Sequence, residues 1–159
     1  MRIRSNRFAT ALCVAILLCS ASWVAYAQSG RASGIPAADL IQPSELAQTL
    51  KSPTEEKPLV LQVGSHILFA EAHIPGAEYA GAAAQEEGLR ALKDRASKLD
   101  RARFVVIYCG CCPWSKCPNI WPAYQQMKAL GFTHLKVLYV ADNFGTDWVD
   151  KGYPVAKGR

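Results

Sequence analysis

Five consecutive apolar residues, Phe104-Val105-Val106-Ile107-Tyr108, run straight into a segment holding Cys109, Cys111, Cys112 and Cys117. An apolar run of this length, rich in branched side chains and without polar alternation, reads as a strand buried on both faces. Leu59-Val60-Leu61-Gln62-Val63 is a second such run, and residues 135–140 make a third. Helical patterns separate them. Residues 85–99 place Leu89, Leu92, Ala96 and Leu99 on one face. Another helix is predicted to begin between Pro118 and Pro122 and to end at Leu130, with Gly131 as its C-cap. An earlier, shorter helix is predicted from Ile41, capped by Ser44 or the residues just before it, with Glu45 at the positive end of its dipole. It ends by Ser52-Pro53. Residues 148–154 are predicted to close the domain with a short helix and a turn. Strands alternating with helices predict an α/β domain with a mainly parallel central sheet flanked by helices on both faces. Cys109 then stands at the carboxyl end of a strand, where ligand sites of such sheets lie.

The chain has 159 residues, enough for one ordinary domain. Half of them are hydrophobic and 19% are charged, which excludes a disordered chain. The start reads differently. Arg2, Arg4 and Arg7 precede an uncharged, mostly apolar run from Phe8, centred on Leu12, Val14, Ile16, Leu17 and Leu18, and Ala25-Tyr26-Ala27 follows. Basic, apolar and small-x-small segments in that order describe a secretory signal, with cleavage expected after Ala27. The strongly apolar stretch falls short of the roughly 20 residues that span a bilayer comfortably. An uncleaved anchor is therefore the weaker reading, and no membrane contact is expected after cleavage. Lipid attachment at Cys19 is weaker still, because the bulky Leu18 precedes it. The expected location is periplasmic or secreted, with residues 28–38 a flexible Gly/Ser-rich leader and residues 39–157 the domain.

Loss of three arginines with the signal lowers the formal charge from +5 to about +2, and the charges left are mixed in sign. That balance excludes the clustered basic face of a nucleic-acid binder. Disulfides that staple small secreted folds join distant parts of the chain. Four cysteines in one short segment point instead to local chemistry: sulfur transfer, redox exchange or metal binding. Loop amides, the dipole of the following helix and Lys116 would each favour a thiolate over a thiol, and the thiolate is the nucleophile.

Several pieces, in order, resemble the rhodanese family. They are Ile41-x-x-x-Glu45-Leu46, His73-Ile74-Pro75-Gly76-Ala77, Val106-Ile107-Tyr108-Cys109, Leu130-Gly131-Phe132, and Trp148 through Gly152-Tyr153-Pro154-Val155. The resemblance covers roughly residues 40–157 and implies a single rhodanese-like domain. It implies a sulfurtransferase whose catalytic cysteine, matched here by Cys109, takes a sulfane sulfur from a donor such as thiosulfate. The persulfide is held by loop amides and passed to a nucleophilic acceptor. The implied partners are a small-molecule or protein sulfur donor and a thiol acceptor. The sequence departs from the family pattern at two places. Gln62-Val63-Gly64 stands where many members carry Asp-x-Arg. The usual Cys-x-x-Gly-x-Arg loop is replaced by a longer one with three further cysteines and no arginine, and Pro113 brings no N–H to it.

The candidate site is thus Cys109 as nucleophile, Cys111, Cys112 and Cys117 as resolving or auxiliary thiols, and Lys116 as an anion or thiolate stabiliser. Two other classes stay open: a thiol–disulfide redox protein, and a non-catalytic binding module or Cu(I) site. Four thiolates without histidine suit Cu(I) better than other ions. The spacing is too tight for a pair of zinc knuckles. From the sequence no metal ligand set and no cofactor is assigned. Within its turn His73 reads as structural, Trp114, Trp121 and Trp148 as packing residues, and Gln62 as an interior polar group bonded to backbone. His66 and His134 are assigned no function.

Overall fold

The computed structural model describes residues 34–158. The expected signal, residues 1–27, and the start of the leader lie outside the described residues. Residues 34–38, expected in the leader, are packed. Ile35 is buried, and a single 3-10 turn, Ala37–Asp39, leads into the first strand.

Five parallel strands form one sheet in the order β1-β5-β4-β2-β3. They are β1 (Leu40–Ile41), β2 (Leu59–Gln62), β3 (Glu78–Tyr79), β4 (Val105–Tyr108) and β5 (Leu135–Leu138). The helices are α1 (Pro43–Lys51), α2 (His66–Glu71), α3 (Glu86–Ser97) and α4 (Ile120–Ala129). This is the predicted α/β architecture. β4 takes the central place, which suits a strand whose four residues are all buried.

Alternation along β4 divides the core. Val105 and Ile107 face α3 and α4, where Leu92, Ala96, Ala123 and Met127 cover them. Val106 and Tyr108 face α1 and the turn Gly145–Val149, meeting Leu46, Ala47 and Trp148. Each strand residue points opposite to the one before it, so Cys109 carries on the face of Val105 and Ile107. Its side chain comes to lie beneath the start of α4.

Two details differ from expectation. Ile41 belongs to β1, paired with Leu138 of β5, and not to the first helix. Gln42 takes the N-cap position, Pro43 follows, and Glu45 accepts from the Gln42 amide at 2.7 Å. α2 was not anticipated; Ser65 caps it. The His73–Ala77 turn forms as read, with Gly76 at φ +78° and the Ala77 amide on the Ile74 carbonyl. His73 is buried there, with Nδ1 2.8 Å from the Phe69 carbonyl and its ring stacked on Phe69. Trp148 is buried and donates to the Pro154 carbonyl.

Candidate functional site

β4 delivers Cys109 to the carboxyl edge of the sheet, and Gly110, at φ +74°, turns the chain back toward it. The backbone crosses to a 3-10 turn, Trp114–Lys116, and then enters α4. That reversal gathers all four cysteines. Their Sγ atoms lie within 4.8 Å of one another, with Cys109 and Cys117 buried and Cys111 and Cys112 half-buried. Cys109 Sγ is 3.1 Å from Cys111 Sγ, which is 3.2 Å from Cys112 Sγ. The four candidate thiols are therefore one cluster.

Lys116 is exposed on the turn. The side chain that donates to the sulfurs is Asn119, which the sequence reading did not single out. Its Nδ2 is 3.3 Å from Cys109 Sγ and 3.9 Å from Cys111 Sγ, while its Oδ1 accepts from the Ala84 amide at 2.8 Å. Asn119 is buried, and a buried amide needs partners for both ends. Here those partners tie the loop after β3 to the sulfur cluster. Asn119→Ala would remove the hydrogen bond to the Ala84 amide and is expected to cost about 0.5–1.5 kcal/mol. Urea denaturation checks this, and an unchanged midpoint would show that Asn119 only fills space.

Gln62 braces the site from below. Its Nε2 donates to the Cys109 carbonyl at 3.1 Å and its Oε1 accepts from the Gly64 amide at 3.2 Å. Gly64 admits the sulfur: a Cβ there would sit 2.8 Å from Cys109 Sγ. Gln62 thus bonds backbone, as its interior position implied.

The loop's amides are largely spent. Trp114 donates to the Ala141 carbonyl, Lys116 to Pro113 and Cys117 to Trp114, and Pro113 has no N–H. What remains near the sulfurs is the Cys111 amide, which faces Cys109, and the Asn119 and Ile120 amides at the start of α4, which face Cys117.

The thiols divide one negative charge unequally. Contacts from Cys109 and Cys117 pull the Cys111 thiol down to about 2 against opposition from burial. Contact with Cys111, contact with Cys117 and burial all push Cys109 up. Burial and the Cys111 contact push Cys112 up to about 12. Contact with Cys109 lowers Cys117, but contact with Cys111 and burial outweigh it, so Cys117 also ends raised. Near neutral pH the charge rests on Cys111, with protonated neighbours donating to it.

A cleft of about 410 Å³ opens onto Tyr108, Cys109, Gly110 and Cys111, walled by Leu68, Phe144 and Val149. Glu71 and the Cys111 thiolate are the charged side chains among its described lining.

Comparison with solved structures finds the same architecture. The rhodanese-like domain of the Alr3790 protein from Anabaena sp. superposes with a TM-score of 0.55 at 21% identity, over 75% of this chain and 79% of that one. The fold is that of a rhodanese-like domain. Another structure of the Anabaena protein gives a TM-score of 0.57 at 21% identity, covering 74% and 92% of the two chains. A thiosulfate sulfurtransferase from Pseudomonas aeruginosa gives 0.53 at 28% identity; the match covers 77% of this chain but 20% of that protein. No protein-family model and no curated protein matches the chain. The rhodanese-like fold explains why Cys109 ends a central strand. The four-sulfur cluster is a property of this loop.

Proposed function

We propose that this rhodanese-like domain is a sulfurtransferase working in an exported compartment, with Cys109 carrying sulfane sulfur as a persulfide. The observation that carries the reading is the place of Cys109: at the carboxyl end of β4, on the floor of the cleft, 3.1 Å from Cys111 Sγ. The basic, apolar and Ala25-Tyr26-Ala27 start supports export.

In the first half-reaction the Cys109 thiol gives its proton to the Cys111 thiolate as Cys109 Sγ attacks the donor's sulfane sulfur. A new S–S bond forms on Cys109. The donor's own S–S bond breaks, and the remainder leaves with the electron pair, as a thiolate from an organic persulfide or as sulfite from thiosulfate. In the second half-reaction an acceptor thiolate attacks the outer sulfur. Cys109 leaves as the thiolate and recovers its proton from Cys111. With Glu71 and the Cys111 thiolate both negative at the cleft, an organic persulfide suits it better than a dianion.

The test is intact-protein mass spectrometry of the reduced, metal-free chain after thiosulfate and, separately, a low-molecular-weight persulfide. The parent is expected to gain one sulfur and the Cys109→Ser variant none. No gain by the parent from either donor overturns the reading. Thiol–disulfide exchange is the second reading, favoured by the 3.1 and 3.2 Å sulfur contacts. In it the Cys111 thiolate attacks an external disulfide and releases one half as a thiolate; Cys109 then gives up its proton, displaces the other half and closes the Cys109–Cys111 bond. Cys111→Ser separates the two, abolishing that exchange while leaving Cys109 able to accept sulfur.

A further inference from the structure

The loop gathers more sulfur than transfer requires. One persulfide needs one carrier and one proton acceptor, and Cys109 with Cys111 supply both. Cys112 and Cys117 are unexplained by that chemistry, yet they are folded onto it: all four Sγ atoms lie within 4.8 Å of one another. Ligands bonded at about 2.3 Å around one tetrahedral ion stand roughly 3.8 Å apart, so the set is already near a coordinating arrangement. The pairs at 3.1 and 3.2 Å need only open by a fraction of an ångström.

A second observation is independent of those distances. A small recess of about 10 Å³ lies among Cys109, Cys112 and Cys117, lined otherwise by Trp114, Ile120, Leu138 and Val140. It is at the lower limit of space for one water. Apart from sulfur its walls are apolar side chains, with the Gly110 backbone completing it, so the lining suits a single ion facing three sulfurs better than a water. Asn119 Nδ2, within 3.3 Å of Cys109 Sγ, is placed as the outer hydrogen-bond donor that orients a ligating thiolate.

We propose that Cys109, Cys111, Cys112 and Cys117 bind one Cu(I) ion. The donor set is entirely soft sulfur, with no imidazole or carboxylate in it, which narrows the choice to Cu(I), zinc and iron–sulfur clusters, and sulfurs all within 4.8 Å of one another suit one ion better than a cluster. The order Cys-x-Cys-Cys-x4-Cys lacks the two spaced knuckles from which structural zinc sites draw their ligands. Adjacent Cys111 and Cys112 are awkward as two corners of a rigid tetrahedron. An ion content with two or three thiolates tolerates them. Half-buried Cys111 lines the 410 Å³ cleft and provides the way in, and buried Cys109 and Cys117 shield the ion once bound.

The test uses the purified full chain, reduced and stripped of metal, titrated anaerobically with Cu(I) against a chromogenic Cu(I) chelator. One equivalent per chain is expected to resist the chelator. Cys117→Ser, which leaves the Cys109–Cys111 pair in place, is expected to weaken retention at least tenfold, with circular dichroism confirming that the variant is folded. A parallel titration with Zn(II) against a zinc dye is expected to show weaker uptake. Failure to retain Cu(I), retention unaffected by Cys117→Ser and by Cys112→Ser, or tighter Zn(II) binding each overturns the assignment. Sulfur loading is read separately on metal-free protein, so either proposal can fail alone.

Discussion

Cys111→Ser combined with Cys117→Ser is expected to slow sulfur acceptance by Cys109 about 100-fold at pH 7, the lower end of what a positioned proton acceptor contributes. In the metal-free parent the Cys109 thiol is held above its usual range, first by contact with Cys111, and cannot ionise by itself near neutrality. Cys109 and Cys111, with their sulfurs 3.1 Å apart, hold one proton between them, and it passes to Cys111 as Cys109 bonds the donor sulfur. Cys112 does not replace Cys111, because burial, the first cause of its rise to about 12, persists in the variant. Cys117 is substituted as well, because contact with Cys109 lowers it and contact with Cys111 raises it, so it would take over the charge once Cys111 is gone. The pH profiles follow. Between about pH 5 and 8 the parent's rate should be nearly flat, because Cys111 remains ionised and Cys109 protonated throughout. In the variant Cys109 must lose its proton to solvent, so the rate should climb about tenfold per pH unit over that span. Rapid-quench mass spectrometry of the persulfide measures both. A variant with the parent's rate and a flat profile would show that neither Cys111 nor Cys117 takes part in the transfer.

The sequence made Cys109 conspicuous because burial and position coincide there. A run of apolar residues fixed it as the end of a central strand, and the resemblance placed the same residue at the family's reactive position. α3 and α4 were legible for a similar reason, since one face of each meets the sheet. α2 was not. Its Ile67 and Leu68 are exposed and Phe69 alone is buried, so its apolar residues form no stripe along one face. β1 is two residues long, too short for any periodicity to declare itself. Asn119 was illegible because Pro-Asn ahead of a helix reads as a turn. What makes it part of the site is a contact with Ala84, far away in sequence, and with sulfurs that only the chain reversal brings under it. The closeness of Cys117 to Cys109 likewise depends on the 3-10 turn between them.

Gly88→Ala is expected to lower stability by about 3 kcal/mol or more, the upper end of what overpacking costs. Helix propensity argues the opposite sign. Gly88 lies inside α3, where alanine ordinarily gains about 0.5–1 kcal/mol over glycine. Packing decides the matter, because a Cβ at Gly88 would sit 2.0 Å from the Ala82 carbonyl oxygen, 2.4 Å from its carbon and 2.6 Å from the Ala82 nitrogen. These are backbone atoms and cannot swing aside as a side chain could. Gly81, at φ +99°, meets the same helix from the other side; a Cβ there would lie 2.7 Å from Gly88 Cα. Two glycines thus let α3 ride directly on the strand-to-helix crossing. That crossing holds the site together, since Ala83 donates to the Val63 carbonyl and Ala84 to Asn119. Pushing it outward would draw Asn119 off Cys109 and Cys111. In urea the midpoint should fall by about 1–3 M, given the usual slopes for domains of this size. A midpoint that rises would mean that α3 can slide away from residues 81–83 without loss, and that the cysteine cluster does not depend on their contact.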